Sequence, residues 1–228
     1  MATQLEIEVD AETKVTGELS LPVGERSGIG LVLGHGAGGD MHAPLLVAIA
    51  AGLAARGHTV LRFNFPYKEA GRRAPDRPER LEQGYAAAVA ALRAAPGLEL
   101  RRVVLGGKSL GGRVASIVAS KGLACDGLVF LGYPLHPPGN KKALRDTHLS
   151  AVKVPMLFLQ GTRDPLCDLG LLRPVVAHLS RRATLHVVDG GDHSLDLPKS
   201  YKRDREDVWA ELVDSIDDWL GHASGAAA

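Results

Sequence analysis

Cysteine is scarce in this 228-residue sequence: Cys125 and Cys167 are the only two. That is too few for a disulfide framework, and neither sits in a metal-ligating spacing, so a reducing, cytoplasmic setting is expected, with a single bridge between them left open. An excess of either charge is lacking too, with 27 Lys and Arg against 26 Asp and Glu. This balance argues against a general nucleic-acid or polyanion binder. Long hydrophobic runs are absent. The longest apolar region, 45–55, contains Gly52 and is well short of the roughly 20 residues a membrane span needs, so no membrane association is expected. The first residues, Met1-Ala2-Thr3-Gln4-Leu5-Glu6-Ile7-Glu8, alternate like a strand and lack the basic start and apolar core of a signal peptide. With neither repeat nor interdomain linker, one domain over 1–222 is expected, followed by a short flexible tail at 223–228.

What is present is a rhythm. Alternating segments at 5–9 and 15–21 predict an N-terminal antiparallel pair. Apolar runs then predict strands at 30–33, 59–63, 102–105, 127–131, 154–159 and 184–188. Helical spacing predicts helices at 44–56, 78–95, 110–121 and 169–179, and an amphipathic one over 205–220. Strands alternating with helices imply an α/β fold: a mostly parallel central sheet covered on both faces. Residues 65–78 form a long, basic, proline-punctuated loop that reads equally as functional or merely solvated.

The segment Arg102 to Arg113 runs from a β-branched strand through Gly107-Lys108-Ser109-Leu110-Gly111 into a helix. This is the setting of a nucleophile elbow, in which a serine occupies a strained turn and glycine neighbours let strand and helix approach closely. A serine hydroxyl needs a base, and that base an orienting carboxylate. In an open parallel sheet, functional loops gather at the carboxyl ends of strands. Asp164 follows the strand at 154–159, and His193 follows the one at 184–188. The order Ser109, Asp164, His193 is that of nucleophile, acid and base in the α/β-hydrolase elbow. Each residue also has a plainer reading: Asp164 as a turn former, His193 as a loop histidine, and Asp189 or Asp192 as the partner of the base instead.

Acyl transfer further requires donors for a developing oxyanion. Gly34-His35-Gly36-Ala37-Gly38-Gly39 follows a buried strand and lacks both the Gly-Lys-Ser/Thr ending of a phosphate loop and a dinucleotide fingerprint. The backbone N–H groups of Ala37 and Leu110 are the expected oxyanion hole. His35 is assigned to supporting this loop, and Lys108 has no catalytic assignment. Met41, Tyr67, Leu135 and Leu166 are candidate substrate contacts, each equally readable as core or loop. Arg72, Arg73 and Arg77 would attract an acidic substrate or simply be solvated. The short connection after residue 131 leaves no room for a large cap domain, so a small acyl substrate and water are the expected partners. The chemistry needs neither metal nor organic cofactor, and oligomeric state is left open.

Four motifs, Gly34-His35-Gly36-Ala37-Gly38, Arg62-Phe63-Asn64-Phe65-Pro66-Tyr67, Gly106-Gly107-Lys108-Ser109-Leu110-Gly111-Gly112-Arg113 and Gly132-Tyr133-Pro134-Leu135-His136, together resemble the α/β-hydrolase superfamily. More narrowly they resemble its dienelactone-hydrolase-like branch, which includes testis-expressed protein 30 and the hydrolase-like part of a chromatin-complex subunit. The resemblance implies a compact hydrolase fold with its triad at Ser109, Asp164 and His193. It also implies that some relatives serve in assemblies. Dienelactone hydrolases proper carry cysteine at the elbow, and Ser109 in its place argues against dienelactone as the substrate.

Overall fold

The computed structural model describes residues 2–222, so the expected tail at 223–228 lies outside the described residues. Eight strands form one sheet in the order β1-β2-β4-β3-β5-β6-β7-β8. Strands β1 (Ala2–Glu8) and β2 (Lys14–Ser20) pair antiparallel, and β2 joins β4 (Thr59–Phe63) antiparallel. From β4 through β3 (Ile29–Gly34), β5 (Arg102–Lys108), β6 (Gly127–Leu131), β7 (Met156–Gly161) and β8 (Ala183–Val188) every pairing is parallel. The helices are α1 (Pro44–Ala55), α2 (Pro66–Glu69), α3 (Pro78–Ala94), α4 (Leu110–Ser120), α5 (Leu169–Leu179) and α6 (Arg205–His222).

Alternation along the central strands feeds two cores. Val103 and Leu105 of β5 face a cluster with Tyr85, Ala88 and Leu92 of α3 and with Val114 and Val118 of α4. Val104 faces the opposite cluster, with Leu46 and Ile49 of α1 and Leu212 and Ile216 of α6. A sheet buried on both sides explains the near-continuous apolar runs. Among the described residues, no helix is long and apolar enough to cross a membrane.

Three expectations are corrected. Strand β5 continues past residue 105 to Lys108, with Gly107 opposite Gly34 and Lys108 opposite Leu131. Glycine's poor strand propensity hid this end. Strand β7 begins at Met156 rather than 154, because Pro155 has no N–H to give a ladder. The 65–78 loop opens with α2, whose first position is Pro66, preset for a helix. Both cysteines are free thiols, which closes the option of a bridge. Burial pushes Cys125 up to about 11 and Cys167 up to about 12.

Candidate active site

The carboxyl edge of the sheet brings Ser109, His193 and Asp164 together from three loops. Ser109 sits between β5 and α4 with φ 50° and ψ −109°, a left-handed backbone that a side chain disfavours. Its glycine neighbours are demanded by contact. A Cβ on Gly107 or on Gly111 would lie 2.1 Å from the Gly34 carbonyl oxygen, and one on Gly106 would lie 2.2 Å from that of Val129. Strand and helix are therefore clamped around the serine, and the Ser109 N–H donates to Leu131 O at 3.2 Å.

Ser109 Oγ is 2.8 Å from His193 Nε2, and His193 Nδ1 is 2.8 Å from Asp164 Oδ2. The Asp164 side chain is wholly buried, whereas His193 keeps 22% of its side-chain surface. A buried carboxylate needs donors. Beyond the imidazole it accepts from Gln160 Nε2 at 2.6 Å on Oδ2 and from the Leu166 N–H at 2.8 Å on Oδ1. The two other acids near the histidine have different tasks. Asp192 Oδ1 accepts the N–H groups of Ser194 and Asp196 at 2.7 and 3.1 Å, shaping the loop, and Asp189 takes the Tyr201 hydroxyl at 3.2 Å.

Residues 36–39 form a turn closed by the Gly39 N–H to Gly36 O at 3.1 Å. A Cβ on Gly36 would be 3.7 Å from Ser109 Cβ, so this loop lies directly against the elbow. Among the described residues, the N–H groups of Ala37 and Leu110 donate to no acceptor, and Leu110 is the first residue of α4. His35 braces the loop from beneath. Its Nδ1 donates to Gly36 O at 2.8 Å, and its Nε2 accepts the Phe65 N–H at 3.1 Å. Burial lowers its pKa, matching a neutral ring in that double role.

The candidate substrate contacts divide. Met41 at 3% exposure, and Tyr67 and Leu135 at 0%, are walls rather than contacts. Tyr67 sends its hydroxyl 2.9 Å to Ala37 O, with burial and the charge of Asp76 pushing it up to about 12. Met41 is pinned by Asn64 Oδ1 at 3.0 Å. Leu166 alone of the four is half-buried. Arg72 pairs with Asp76 at 2.6 Å, and Arg73 and Arg77 are exposed. Burial pulls the Lys108 ammonium down, opposed by Asp164, Asp192 and Asp196.

Gln160 is the residue sequence reasoning missed. It is fully buried at the end of β7, where its Oε1 accepts the Tyr133 N–H at 2.9 Å while its amide group holds Asp164. A polar residue closing an otherwise apolar strand, four positions before the candidate acid, was the available signal. Residue types alone would mislead. Ser27, His58 and Asp217 form a second linked trio, at 2.8 and 2.7 Å, on the opposite edge of the sheet. There Ser27 accepts the Ile29 N–H at 3.1 Å and has no left-handed backbone, so it fastens α6 to the start of β3.

A family model described as an alpha/beta hydrolase domain matches residues 28–221. The chain belongs to the alpha/beta hydrolase family. Solved hydrolase structures superpose over nearly the whole chain. A dienelactone hydrolase from Anabaena variabilis is 21% identical, with 97% of each chain covered and a TM-score of 0.75. A serine hydrolase without a lid from Xanthomonas campestris is 20% identical, covering 97% of this chain and 93% of its own, at a TM-score of 0.71. An esterase domain from Rhodothermus marinus is 16% identical, covering 96% and 97%, at a TM-score of 0.70. At these identities the likeness is one of fold, and this alpha/beta hydrolase shares with them the mostly parallel sheet and its flanking helices.

Proposed function

We propose that this alpha/beta hydrolase is a cytoplasmic serine esterase that cleaves small carboxylic esters through an acyl-enzyme. The observation that carries the reading is the unbroken chain of contacts from Ser109 through His193 to buried Asp164, beside two free backbone donors. Ser109 Oγ attacks the ester carbonyl as its proton passes to His193 Nε2, and Asp164 stabilises the imidazolium. The oxyanion is taken by the N–H groups of Ala37 and Leu110, where a single donor is worth about 10²–10³ in kcat. The tetrahedral intermediate collapses, and the alcohol leaves with the proton from His193. Water then attacks the acyl group, giving its proton to His193, and the acid departs as Ser109 is reprotonated.

The short span between β6 and β7, residues 132–155, favours an open cleft and a compact soluble substrate. The names of the Anabaena, Xanthomonas and Rhodothermus proteins support hydrolysis of ester-like bonds as the reaction class. A fluorophosphonate probe tests the nucleophile: labelling of the wild type and not of Ser109→Ala is expected. A folded wild type that takes no label overturns the reading in favour of an interaction module, the role suggested by the narrower chromatin-linked resemblance. A panel of ester, thioester and peptide substrates then checks the bond, with fastest turnover expected for esters.

A further inference from the structure

Six arginines are buried or half-buried among the described residues: Arg62, Arg80, Arg102, Arg113, Arg145 and Arg182. Four have acceptors. Arg62 holds Glu18, Arg80 holds Asp10 and Thr13, Arg102 donates to Leu220 O at 2.8 Å, and Arg182 donates to Val152 O. The guanidinium groups of Arg113 and Arg145 donate to nothing among the described residues, and Arg113 Nε is also shut off from solvent. A donor closed off from solvent without an acceptor is costly, as at Arg113 Nε, whereas the remaining guanidinium nitrogens of the two residues still reach solvent.

These two groups belong to one cluster. Ser116 Oγ donates to Arg113 O at 2.7 Å, and His148 Nε2 lies 3.5 Å from the Tyr133 hydroxyl, so a chain of contacts joins the two residues. Tyr133 donates to Arg145 O at 2.7 Å, and His148 Nε2 is 2.8 Å from Ser116 Oγ. Asp146 is the one acid acting on Tyr133 and His148, yet it forms no ion pair with either arginine among the described residues. Burial and the nearby Arg113 charge both lower the pKa of Arg145 and of His148. Asp146 offsets part of this positive charge without pairing with either guanidinium.

The backbone that carries the cluster adjoins the elbow. The Arg113 N–H bonds Ser109 O at 3.0 Å, which places Arg113 one helical turn, about 6 Å, along α4 from the serine. The Arg145 N–H bonds Leu135 O at 2.8 Å, on the segment that leaves β6 at the same edge of the sheet. Both side chains keep partial exposure. We propose that Arg113 and Arg145 form an oxyanion-binding subsite of the cleft, which holds a carboxylate or phosphate group carried by the acyl substrate. Paired guanidinium groups suit this task because each presents a planar fork of donors that matches such an anion.

The choice of substrate rests on the hydrolase reading, whereas anion binding does not, so the experiment has two arms. In the first, kcat/KM is measured for 4-nitrophenyl butyrate and for 4-nitrophenyl hemisuccinate, in which a carboxylate replaces the terminal methyl. The anionic-to-neutral ratio is expected to fall about 10- to 100-fold in Arg145→Ala and in Arg113→Gln. A ratio unchanged in folded Arg145→Ala overturns the proposal. In the second, glutarate and inorganic phosphate are titrated calorimetrically into Ser109→Ala and into the Ser109→Ala, Arg145→Ala double variant. Binding of either anion to the first and not to the second supports the subsite, and the tighter anion identifies the group it takes. No binding of either anion to Ser109→Ala overturns it. If the wild type cleaves neither ester, the esterase reading falls and the titration alone decides the subsite.

Discussion

Ser109 is held in a backbone conformation that its side chain disfavours, and the strain can be weighed by comparing Ser109→Gly with Ser109→Ala. Both variants lose the hydroxyl and its contact with His193 Nε2, so that loss cancels between them. At φ 50° and ψ −109° a residue with a Cβ stores about 1–3 kcal/mol. Glycine releases that strain but returns about 0.4–1 kcal/mol of chain entropy to the unfolded state. The difference favours the glycine variant by about 1–2 kcal/mol, which raises the melting temperature by about 2–8 °C in a domain of this size. Differential scanning calorimetry of the two proteins under matched conditions reads this directly. A glycine variant that melts at or below the alanine variant refutes the view that the elbow is strained at Ser109. Neither variant should take a fluorophosphonate label, so stability would have been gained only where the proposed nucleophile was given up.

Gln160→Leu leaves Asp164 one donor short in a buried site and frees the Tyr133 N–H; ester turnover should fall about tenfold in kcat with little change in KM, and unchanged kcat would count against a positioning role. Gly111→Ala drives a Cβ to 2.1 Å from Gly34 O, so α4 must part from β3, lowering stability by about 1–3 kcal/mol or more. A melting temperature equal to wild type would show that the clamp yields freely. Burial lowers the pKa of His35, His148 and His186 below the ordinary 6.5. The unfolded chain then binds more protons than the fold, so their contribution is complete above about pH 6.5 and is lost as pH falls below it. His35→Gln, melted across pH 5 to 8, should show a shallower acid-side decline; an identical slope would remove His35 from that account.

The architecture was legible wherever burial on both faces made strands apolar, as at β3, β4 and β6, and wherever proline marked a helix start, as at α1 and α3. The elbow was legible because close backbone approach demands glycine at Gly107 and Gly111 whatever the rest of the chain does. Gln160 carried only the signal of a polar residue ending an apolar strand, and its double role emerges where the end of β7 meets Tyr133 from another loop. The same holds for Arg113 and Arg145, which are 32 residues apart in the sequence and unremarkable until a helix turn and a post-strand segment bring their charges together. Tyr67 and Leu135 stay open in the sequence between cleft and core, because an aromatic or aliphatic side chain near a motif does not reveal which way it points; both are buried. The second trio at Ser27, His58 and Asp217 makes the converse point: local backbone and free donors, not residue types, separate a candidate site from a fastening.

The Gly34 carbonyl has a consequence for how such a molecule can change. Both elbow glycines rest against this one atom, and the loop that carries Ala37 begins immediately after it, so the candidate nucleophile and its candidate oxyanion donors cannot be altered separately. The segment that leaves β6 on the far side of the same edge is held at its start, where a Cβ on Gly132 would lie 2.9 Å from His193 O and Gln160 takes the Tyr133 N–H, whereas residues 138–143, just before Arg145, are exposed. Substitutions that retune the proposed acyl selectivity can therefore accumulate in that exposed stretch while Ser109, Asp164 and His193 stay untouched. Grafting the equivalent stretch from another alpha/beta hydrolase becomes a practical route to new selectivity around an unchanged candidate site.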